Sequence, residues 1–251
     1  MAIKLGSTDI NSVNLGSVGL NRIYSGSDFV FGGVAPFEFG NALQFDGIND
    51  YVSFSPILKE APTPGFCFGF WIRFTSTPSF EHIIGDSTSI NQWFRWNNST
   101  SATFRSRNVG AATTTFSFPA ISTNTWYYVA VSLIGSINYL WINGIRYTGD
   151  GDNYDNETIN IDRIGTDGIN YGEFIIDELF VKAGSALTNQ NVLDLYNSGN
   201  GQYATDVIDS LGVYYRFNES GLATVATDSS GNGNDGTLNN FTSPPDYWIA
   251  H

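Results

Sequence analysis

Apolar residues fill positions 174–176 and 179–181, and Asp177 and Glu178 stand between these two triplets. Such a continuous apolar run predicts a β-strand that is buried on both faces. The two carboxylates inside it need cations or backbone N–H groups nearby, because an unpaired buried charge costs several kcal/mol. Just beyond the strand, Thr188 is placed to cap a short helix.

Other stretches show the patterns of strands and hairpins. Residues 66–74 are apolar at almost every position and predict a core strand. Asn143-Gly144 joins two apolar runs and predicts a hairpin, because both residues tolerate the positive φ angles of a type I′ turn. Alternating apolar residues on both sides of Asp46-Gly47 predict a second hairpin there.

The composition favours short strands over long helices. The 251 residues include 27 glycines, 15% aromatic and only 14% charged residues, which is typical of strands joined by turns. A chain of this length can bury a sizeable core, as one large domain or two small ones. The single cysteine, Cys67, lies in an apolar run, so we expect a core residue and no internal disulfide.

The charge excludes some partners. A formal net charge of −13 repels phosphate backbones and anionic lipids, which argues against nucleic-acid binding and membrane docking, whereas calcium suits an acidic chain. The N-terminus lacks the apolar run of a signal peptide, and no later run is long enough to insert in a membrane. We expect a protein that is made inside a cell. If it works outside, it leaves by another route, such as release in a particle freed by lysis.

Residues 1–33 contain a repeat with a period of ten, in which short apolar segments alternate with Gly-Ser pairs. Each unit predicts a short strand followed by a turn. Two and a half units cannot enclose a core, because repeat architectures bury their apolar faces only against several stacked neighbours. This N-terminal repeat arm therefore either caps the main domain or anchors the protein to another chain.

Several motifs, taken together, carry a family resemblance. They are Ala42-Leu43-Gln44-Phe45-Asp46-Gly47 with Asp50-Tyr51-Val52, Phe70-Trp71-Ile72, Trp126-Tyr127-Tyr128-Val129-Ala130, Leu140-Trp141-Ile142-Asn143-Gly144, and Ile176-Asp177-Glu178-Leu179 through Leu195-Tyr196. In this order, over residues 36–199, they resemble the laminin-G-like, concanavalin A-like jelly-roll family. The resemblance implies an all-β, two-sheet antiparallel jelly-roll sandwich, which follows the short repeat arm.

Two further resemblances concern the ends of the chain. Residues 212–238 resemble the piece that usually opens such a domain, so we expect 207–240 to complete a sandwich of residues 34–251 from the C-terminal side. Strand addition to a neighbouring subunit is the alternative. The arm resembles the Leu-Gly-Ser repeats of tailed-phage virion proteins. That implies a capsid decoration or tail-fibre protein that is a homo-oligomer and contacts other virion proteins through residues 1–33.

The family resemblance also implies a calcium site, because members often carry one ion on the outer face of the sandwich. Calcium takes oxygen ligands from carboxylates, amides and main-chain carbonyls. The positions that match are Asp46, Gly47, Asp177, Asp228, Asn232, Asn234 and Asp235. The alternative is that Asp177 or Glu178 accepts hydrogen bonds from turn N–H groups or pairs with Arg216 or Arg163.

Glycan binding is a second candidate activity. Sugars stack on aromatic faces beside hydrogen-bonding side chains, and concave jelly-roll sheets commonly present both. The candidate residues are Trp93, Arg95, Trp96, Tyr139, Trp141 and Asn143. If residues 93–96 form a strand, Trp93 and Arg95 share one face and Trp96 lies on the other, so one tryptophan at most is exposed. For each aromatic residue taken singly, a place in the core is the alternative.

Catalysis is not expected. Laminarinase-type enzymes share this fold, but a retaining pair needs two carboxyl groups on one face about 5–5.5 Å apart. Asp177 and Glu178 are adjacent, which predicts side chains on opposite faces. We therefore expect a non-enzymatic virion structural protein with an outward domain that can bind glycans. The alternative is an adhesin whose main role is to recognise host-surface glycans.

Overall fold

The computed structural model describes residues 3–5, 8–10, 22–25, 28–32, 37–61, 64–88, 92–105, 113–134, 137–149, 158–242 and 247–251. The chain divides into two compact units, residues 1–38 and 39–251. In the first unit, strand β1 (Ile3–Leu5) pairs antiparallel with β2 (Thr8–Ile10), and β3 (Arg22–Ser25) pairs antiparallel with β4 (Asp28–Gly32). The Gly-Ser pairs of the predicted repeat lie outside the described residues.

The second unit is built almost entirely from strands. The strands are β5 (Asn41–Asp46), β6 (Tyr51–Lys59), β7 (Phe66–Arg73), β8 (Glu81–Gly85), β9 (Trp93–Asn98), β10 (Ser101–Arg105), β11 (Thr113–Ser117), β12 (Tyr127–Ile134), β13 (Ile137–Ile142), β14 (Ile145–Gly149), β15 (Ile159–Ile164), β16 (Glu173–Ala183), β17 (Val213–Tyr215), β18 (Val225–Ala226), β19 (Gly236–Asn239) and β20 (Trp248–Ala250). Helices α1 (Asn189–Tyr196) and α2 (Ala204–Val207) follow β16, with a 3₁₀ turn over Asn197–Gly199 between them.

These strands form two antiparallel sheets. Sheet I has the order β11-β10-β9-β8-β15-β6-β19-β18, and sheet II has the order β14-β13-β12-β7-β16-β5-β20, with β17 also paired to β16. The side chains between the sheets form one large apolar core that includes Phe45, Phe68, Phe94, Val131 and Leu179. This arrangement confirms the predicted all-β, two-sheet antiparallel sandwich.

The local signals at two turns had different outcomes. Asn143 and Gly144 have φ angles of 50° and 78° and join β13 to β14, which confirms that hairpin. The hairpin predicted at Asp46-Gly47 is wrong, because β5 lies in sheet II and β6 in sheet I. The turn instead carries the chain from one sheet to the other. Gly47, with φ at 73°, has no room for a side chain, since a Cβ atom there would lie 2.9 Å from the Cβ atom of Glu173.

The C-terminal segment contributes strands to both sheets of the same chain. Strand β17 pairs with β16 in sheet II, whereas β18 and β19 extend sheet I beyond β6. Strand β20 pairs with β5 at the edge of sheet II. Residues from both ends of the second unit therefore lie side by side.

A second apolar cluster covers the outer face of sheet II. It joins side chains that point away from the main core, among them Trp71, Tyr128, Trp141 and Phe180, to residues of the helical segment. Thr188 caps α1 by accepting a hydrogen bond from the backbone N–H of Asn191, as the sequence predicts. The outer face of sheet II is thus buried under α1 and α2.

Candidate functional site

Strand β9 alternates between the core and the outer face of sheet I. Phe94 and Trp96 are fully buried between the sheets, whereas Trp93 and Arg95 point outwards. Strand β10 lies beside β9, and its register places Arg105 opposite Trp93 and Thr103 opposite Arg95.

We call the outward group formed by Trp93, Arg95, Asn97, Thr103 and Arg105, together with Phe80, the arginine face. The Arg95 guanidinium carbon lies 4.5 Å from the centre of the Trp93 ring and 4.6 Å from that of the Phe80 ring. The Arg105 guanidinium carbon lies 6.0 Å from the same Trp93 ring. Both cations therefore stack on aromatic rings, which holds them in place.

Hydrogen bonds fix the polar side chains of the arginine face. Arg95 Nε donates to Asn97 Oδ1 at 3.0 Å, and Asn97 Nδ2 donates to Thr103 Oγ1 at 2.8 Å. The hydroxyl groups of Thr103 and Thr115 lie 3.1 Å apart, so the network continues onto β11. Phe80 is 57% exposed, whereas Trp93 lies buried beneath the arginines. Phe80 is thus the aromatic side chain that solvent reaches.

A loop over residues 165–171 borders the arginine face. A Cβ atom on Gly85 would lie 2.4 Å from the carbonyl oxygen of Thr166, so glycine lets this loop pack against β8. Asp167 Oδ2 lies 3.4 Å from Nδ1 of the buried His82. Burial lowers the pKa of His82 to about 4. The negative charge of Asp167 opposes this decrease, and the positive charge of Arg95 adds to it. His82 is therefore neutral near pH 7.

The six residues predicted to bind glycans are divided between the two sheets. Trp93 and Arg95 lie on the arginine face, and Trp96 lies in the main core. The other three, Tyr139, Trp141 and Asn143, belong to sheet II or its hairpin turn. Trp141 is buried in the cluster under α1, where its Nε1 donates to Asn189 Oδ1 at 3.0 Å.

The structure adds residues that the sequence pattern did not identify. Arg105 joins the arginine face because β10 pairs with β9, and no local signal announces that pairing. Phe80 precedes β8 in a backbone conformation with φ at 64°, which few non-glycine residues adopt. The alternation of residues 93–96 was the one sequence signal that pointed to this face.

A second group of polar residues lies in β16 at Asp177 and Glu178. The pairing of β16 with β7 shifts its register between Asp177 and Phe180, and Glu178 has a φ angle of 53°, which together mark a β-bulge. Both carboxylates therefore contact residues of the cluster on the outer side of sheet II. The prediction that they point to opposite faces is wrong here, because a bulge interrupts the alternation of a regular strand.

Each of these carboxylates has its own partners. Asp177 Oδ2 lies 2.6 Å from Nδ1 of His251. The His251 ring is stacked between the rings of Phe39 and Trp126, with distances of 3.6 and 3.9 Å between the ring centres. Glu178 accepts a hydrogen bond from the Tyr214 hydroxyl group, and its Oε1 lies 3.5 Å from Arg216 Nε. Pairing with Arg216 was one of the alternatives left open by the sequence.

Burial controls the protonation of this group. Burial and the charge of Glu178 raise the pKa of Asp177 well above its usual value, and burial lowers the pKa of His251 to about 3. Both directions favour neutral forms of Asp177 and His251. Burial also raises the pKa of Glu178 to about 7, although Tyr214 and Arg216 oppose the increase. The pair Asp177 and Glu178 thus holds at most one full negative charge near neutral pH.

The predicted calcium ligands lie in three separate places. Asp46 pairs in register with Glu173, which stands four residues before Asp177 along β16, or about 13 Å. Asp46 Oδ1 accepts hydrogen bonds from the N–H groups of Ile48 and Asn49 at 2.8 and 3.3 Å, so it stabilises its own turn.

The third place is the loop 228–235. Asp228 accepts four hydrogen bonds there, from the N–H groups of Tyr214, Ser230 and Asn234 and from the Ser230 hydroxyl group. Asp235 Oδ1 accepts from the N–H group of Asp228 at 2.8 Å. The side-chain amides of Asn232 and Asn234 donate to the Gly212 carbonyl group at 3.1 and 3.0 Å. These side chains fasten the loop to the start of β17.

Most of the predicted calcium ligands are already engaged by donors of the protein and are not gathered at one place. In the part of the chain that the structure describes, no group of three or more His, Cys, Asp or Glu side chains is placed to hold a metal ion. N–H and hydroxyl donors occupy both oxygens of Asp228, and His251 and the Glu178 N–H group contact Asp177. Calcium binding stays a prediction, which a rise in melting temperature on addition of calcium would support.

Comparison with known proteins identifies the family. The sequence matches the Laminin_G_3 model, described as the concanavalin A-like lectin/glucanases superfamily, over residues 46–192. This match covers more than half of the 251 residues, so the chain belongs to this family. The family predicted from the motifs of the sandwich is thereby confirmed. A comparison with curated proteins gave no match.

Solved structures share the fold at low sequence identity. A Bacteroides ovatus ATCC 8483 protein, whose description proposes carbohydrate binding, is 19% identical with a TM-score of 0.59, over 89% of this chain and 66% of its own. The heptameric SAP-like pentraxin of Limulus polyphemus is 14% identical with a TM-score of 0.43, over 66% of this chain and 91% of its own. Domains LG4-5 of the mouse laminin α1 chain are 15% identical with a TM-score of 0.45, over 71% of this chain and 48% of their own.

The chain therefore spans about two thirds of the Bacteroides protein and about half of the laminin chain. Among the described residues, no helix has the length and apolar character needed to cross a membrane.

Proposed function

We propose that this protein is a non-catalytic carbohydrate-binding protein and that the arginine face is its binding surface. The observation that carries the proposal is the exposed Phe80 ring beside hydrogen-bonding side chains fixed on a rigid sheet. An aromatic face gives a pyranose ring an apolar partner, and the neighbouring amide and hydroxyl groups can bond its hydroxyls. The Bacteroides ovatus protein shares this fold, and its description proposes carbohydrate binding, which supports the proposal.

A non-catalytic role agrees with the state of the carboxylate pair in β16. Asp177 is fully buried and Glu178 is 4% exposed, and both are engaged by protein side chains. A glycosidase needs carboxyl groups that reach the glycosidic bond and a water molecule. Asp177 and Glu178 instead hold the C-terminal strands against sheet II.

The test is a glycan array probed with the wild-type protein and two variants. Phe80→Ala removes the exposed ring, whereas the control Ile145→Ala removes an exposed apolar side chain, 62% accessible, from a sheet II hairpin. We expect Phe80→Ala to weaken binding about tenfold or more, as for an aromatic anchor, and Ile145→Ala to leave it unchanged. Binding that both variants retain in full, or no binding to any glycan, would overturn the proposal.

We further propose that the protein is a virion component of a phage, anchored through residues 1–33 and assembled in several copies. The period-ten repeat motivates this proposal, together with the division of the chain into a small and a large unit. Removal of residues 1–38 should leave a folded body that still binds glycans. That body should not join the particle when it is supplied in place of the full chain, and its normal incorporation would contradict the proposal.

A further inference from the structure

The arginine face concentrates positive charge on an acidic protein. The whole chain has 11 lysines and arginines and a formal net charge of −13. In sheet I, Arg105 lies opposite Trp93, Trp93 opposite Gly85, and Gly85 opposite Arg163, so two arginines stand in one row across the strands. Arg95 adds a third on the same side. Like charges repel one another, so such a local cluster costs free energy unless a negatively charged partner offsets it.

Among the described residues, no carboxylate forms an ion pair with the arginines at the centre of this cluster. Within the described ranges, neither Arg95 nor Arg105 forms a salt bridge, whereas Arg216 lies 3.5 Å from Glu178 and Lys182 lies 2.9 Å from Asp209. Arg105 Nε is buried and has no hydrogen-bond partner among the described residues. The same is true of Nε in Arg73, Arg163 and Arg216. Arg105 as a whole is only half-buried, so a ligand on the arginine face would meet its other N–H groups.

The carboxylate of the bordering loop is already engaged. Asp167 accepts hydrogen bonds from the N–H groups of Ile169 and Asn170 at 3.0 and 2.7 Å and from the Asn170 side chain. Asp167 also lies 3.4 Å from Nδ1 of His82. Burial lowers the pKa of Arg95 and the charge of Asp167 opposes this change, so Asp167 offsets part of the charge of Arg95 without forming an ion pair with it.

Guanidinium groups bind planar anions through paired N–H donors. Arg95 uses its Nε on Asn97, and both it and Arg105 lie over one Trp93 ring, at 4.5 and 6.0 Å from its centre. Two fixed cations side by side fit a ligand that carries more than one negative group.

Building on the proposed function, we propose that the saccharide bound by the arginine face is acidic and carries carboxylate or sulfate groups. Arg95 and Arg105 bind these groups, and Phe80 contacts the sugar ring. The net charge of the chain repels polyanions at long range, so adsorption elsewhere on the protein is weak. Loss of binding after one arginine is changed is therefore diagnostic of this face.

The test compares matched ligands and matched variants of the full chain. The ligands are short oligogalacturonides, the same oligosaccharides after carboxyl reduction, and sulfated oligosaccharides from chondroitin sulfate. The variants are Arg95→Gln and Arg105→Gln, with Arg146→Gln as the control. Arg146 is also stacked on an aromatic ring, with its guanidinium carbon 4.7 Å from the Tyr139 ring centre, but it lies in sheet II.

We expect the wild-type protein to prefer at least one acidic ligand over the reduced one by about tenfold or more, with affinity that falls as salt rises. Arg95→Gln and Arg105→Gln should each abolish this preference, and Arg146→Gln should keep it. Binding of the oligogalacturonides shows that carboxylate groups are sufficient, whereas binding of the chondroitin oligosaccharides alone, which carry both carboxylate and sulfate, shows that sulfate is required. A melting curve of each variant confirms that it is folded, and Arg95→Lys, which keeps the charge without the planar fork, should bind with intermediate affinity.

Equal affinity for acidic and reduced sugars, lost in Phe80→Ala but not in the arginine variants, would overturn this inference and leave the proposed function intact. Absence of binding to every sugar would overturn both. An acidic preference that survives in both arginine variants would place the anion elsewhere and also reject the inference.

Discussion

The outer faces of the two sheets differ although both arise from alternating strands. On sheet II, Trp71, Tyr128 and Phe180 point outwards and are buried under α1 and α2. On sheet I, Arg95 and Arg105 point outwards, and no described helix covers them. One face is a second core, and the other is a surface with fixed polar groups.

The difference shows that an outward aromatic residue is not by itself a binding platform. Each tryptophan has one small and one cationic neighbour across the strands, Ala130 and Arg146 for Trp141 and Gly85 and Arg105 for Trp93. Trp141 nevertheless lies under α1, where its Nε1 donates to Asn189, whereas no described helix covers Trp93. The segment that packs over the sheet therefore decides the role of each aromatic side chain, and the cross-strand neighbours alone do not.

The largest expected difference between the two faces is in the free energy of unfolding that is lost when one aromatic side chain on each face is truncated. Trp141→Ala should lower the free energy of unfolding by about 3–5 kcal/mol, because it leaves a cavity under α1 and an unpaired Asn189. Phe80→Ala should cost less than about 1 kcal/mol, since its ring is mostly exposed. Urea denaturation of both variants measures the difference. Similar losses in the two variants would show that the sheet I face is also a packed core.

Most of the fold could be predicted from sequence because its signals are local. The apolar run of β7, the Asn143-Gly144 turn and the Thr188 cap each depend on a few neighbouring residues. The turn at Asp46-Gly47 could not be interpreted in the same way. Whether it joins strands of one sheet or of two depends on which partners β5 and β6 find elsewhere in the chain.

The candidate site was less predictable because its contacts are distant in sequence. His251 meets Asp177 across 74 residues, and Arg216 meets Glu178 through the pairing of β17 with β16. No residue type in the sequence indicates the bulge that turns Glu178 towards the same side as Asp177. Glycine is the usual residue at a positive φ angle, and this bulge has a glutamate there. Arg105 was missed because it joins the arginine face through the pairing of β10 with β9. Phe80 was missed because it precedes β8 and meets Arg95 only in the folded chain.

The two faces should also differ in how the stability of the protein depends on pH. The sheet II side buries a carboxylic acid, Glu178, and the sheet I side buries a histidine, His82. Burial raises the pKa of Glu178 to about 7 from an ordinary 4.5. The unfolded chain releases this proton at lower pH than the folded protein does. The stability contributed by Glu178 is therefore full below pH 4.5 and is lost as the pH rises to about 7.

His82, beside the arginine face, should show the opposite dependence. Burial lowers its pKa to about 4 from an ordinary 6.5, so its contribution is full above pH 6.5 and is lost as the pH falls to about 4. We measure the free energy of unfolding of wild type, Glu178→Gln and His82→Gln between these limits. Relative to the wild type, Glu178→Gln should gain about 2–3 kcal/mol as the pH rises, and His82→Gln a similar amount as it falls. Slopes of the same sign for both variants would contradict the assignment of a buried acid to the covered face and a buried neutral base to the open one.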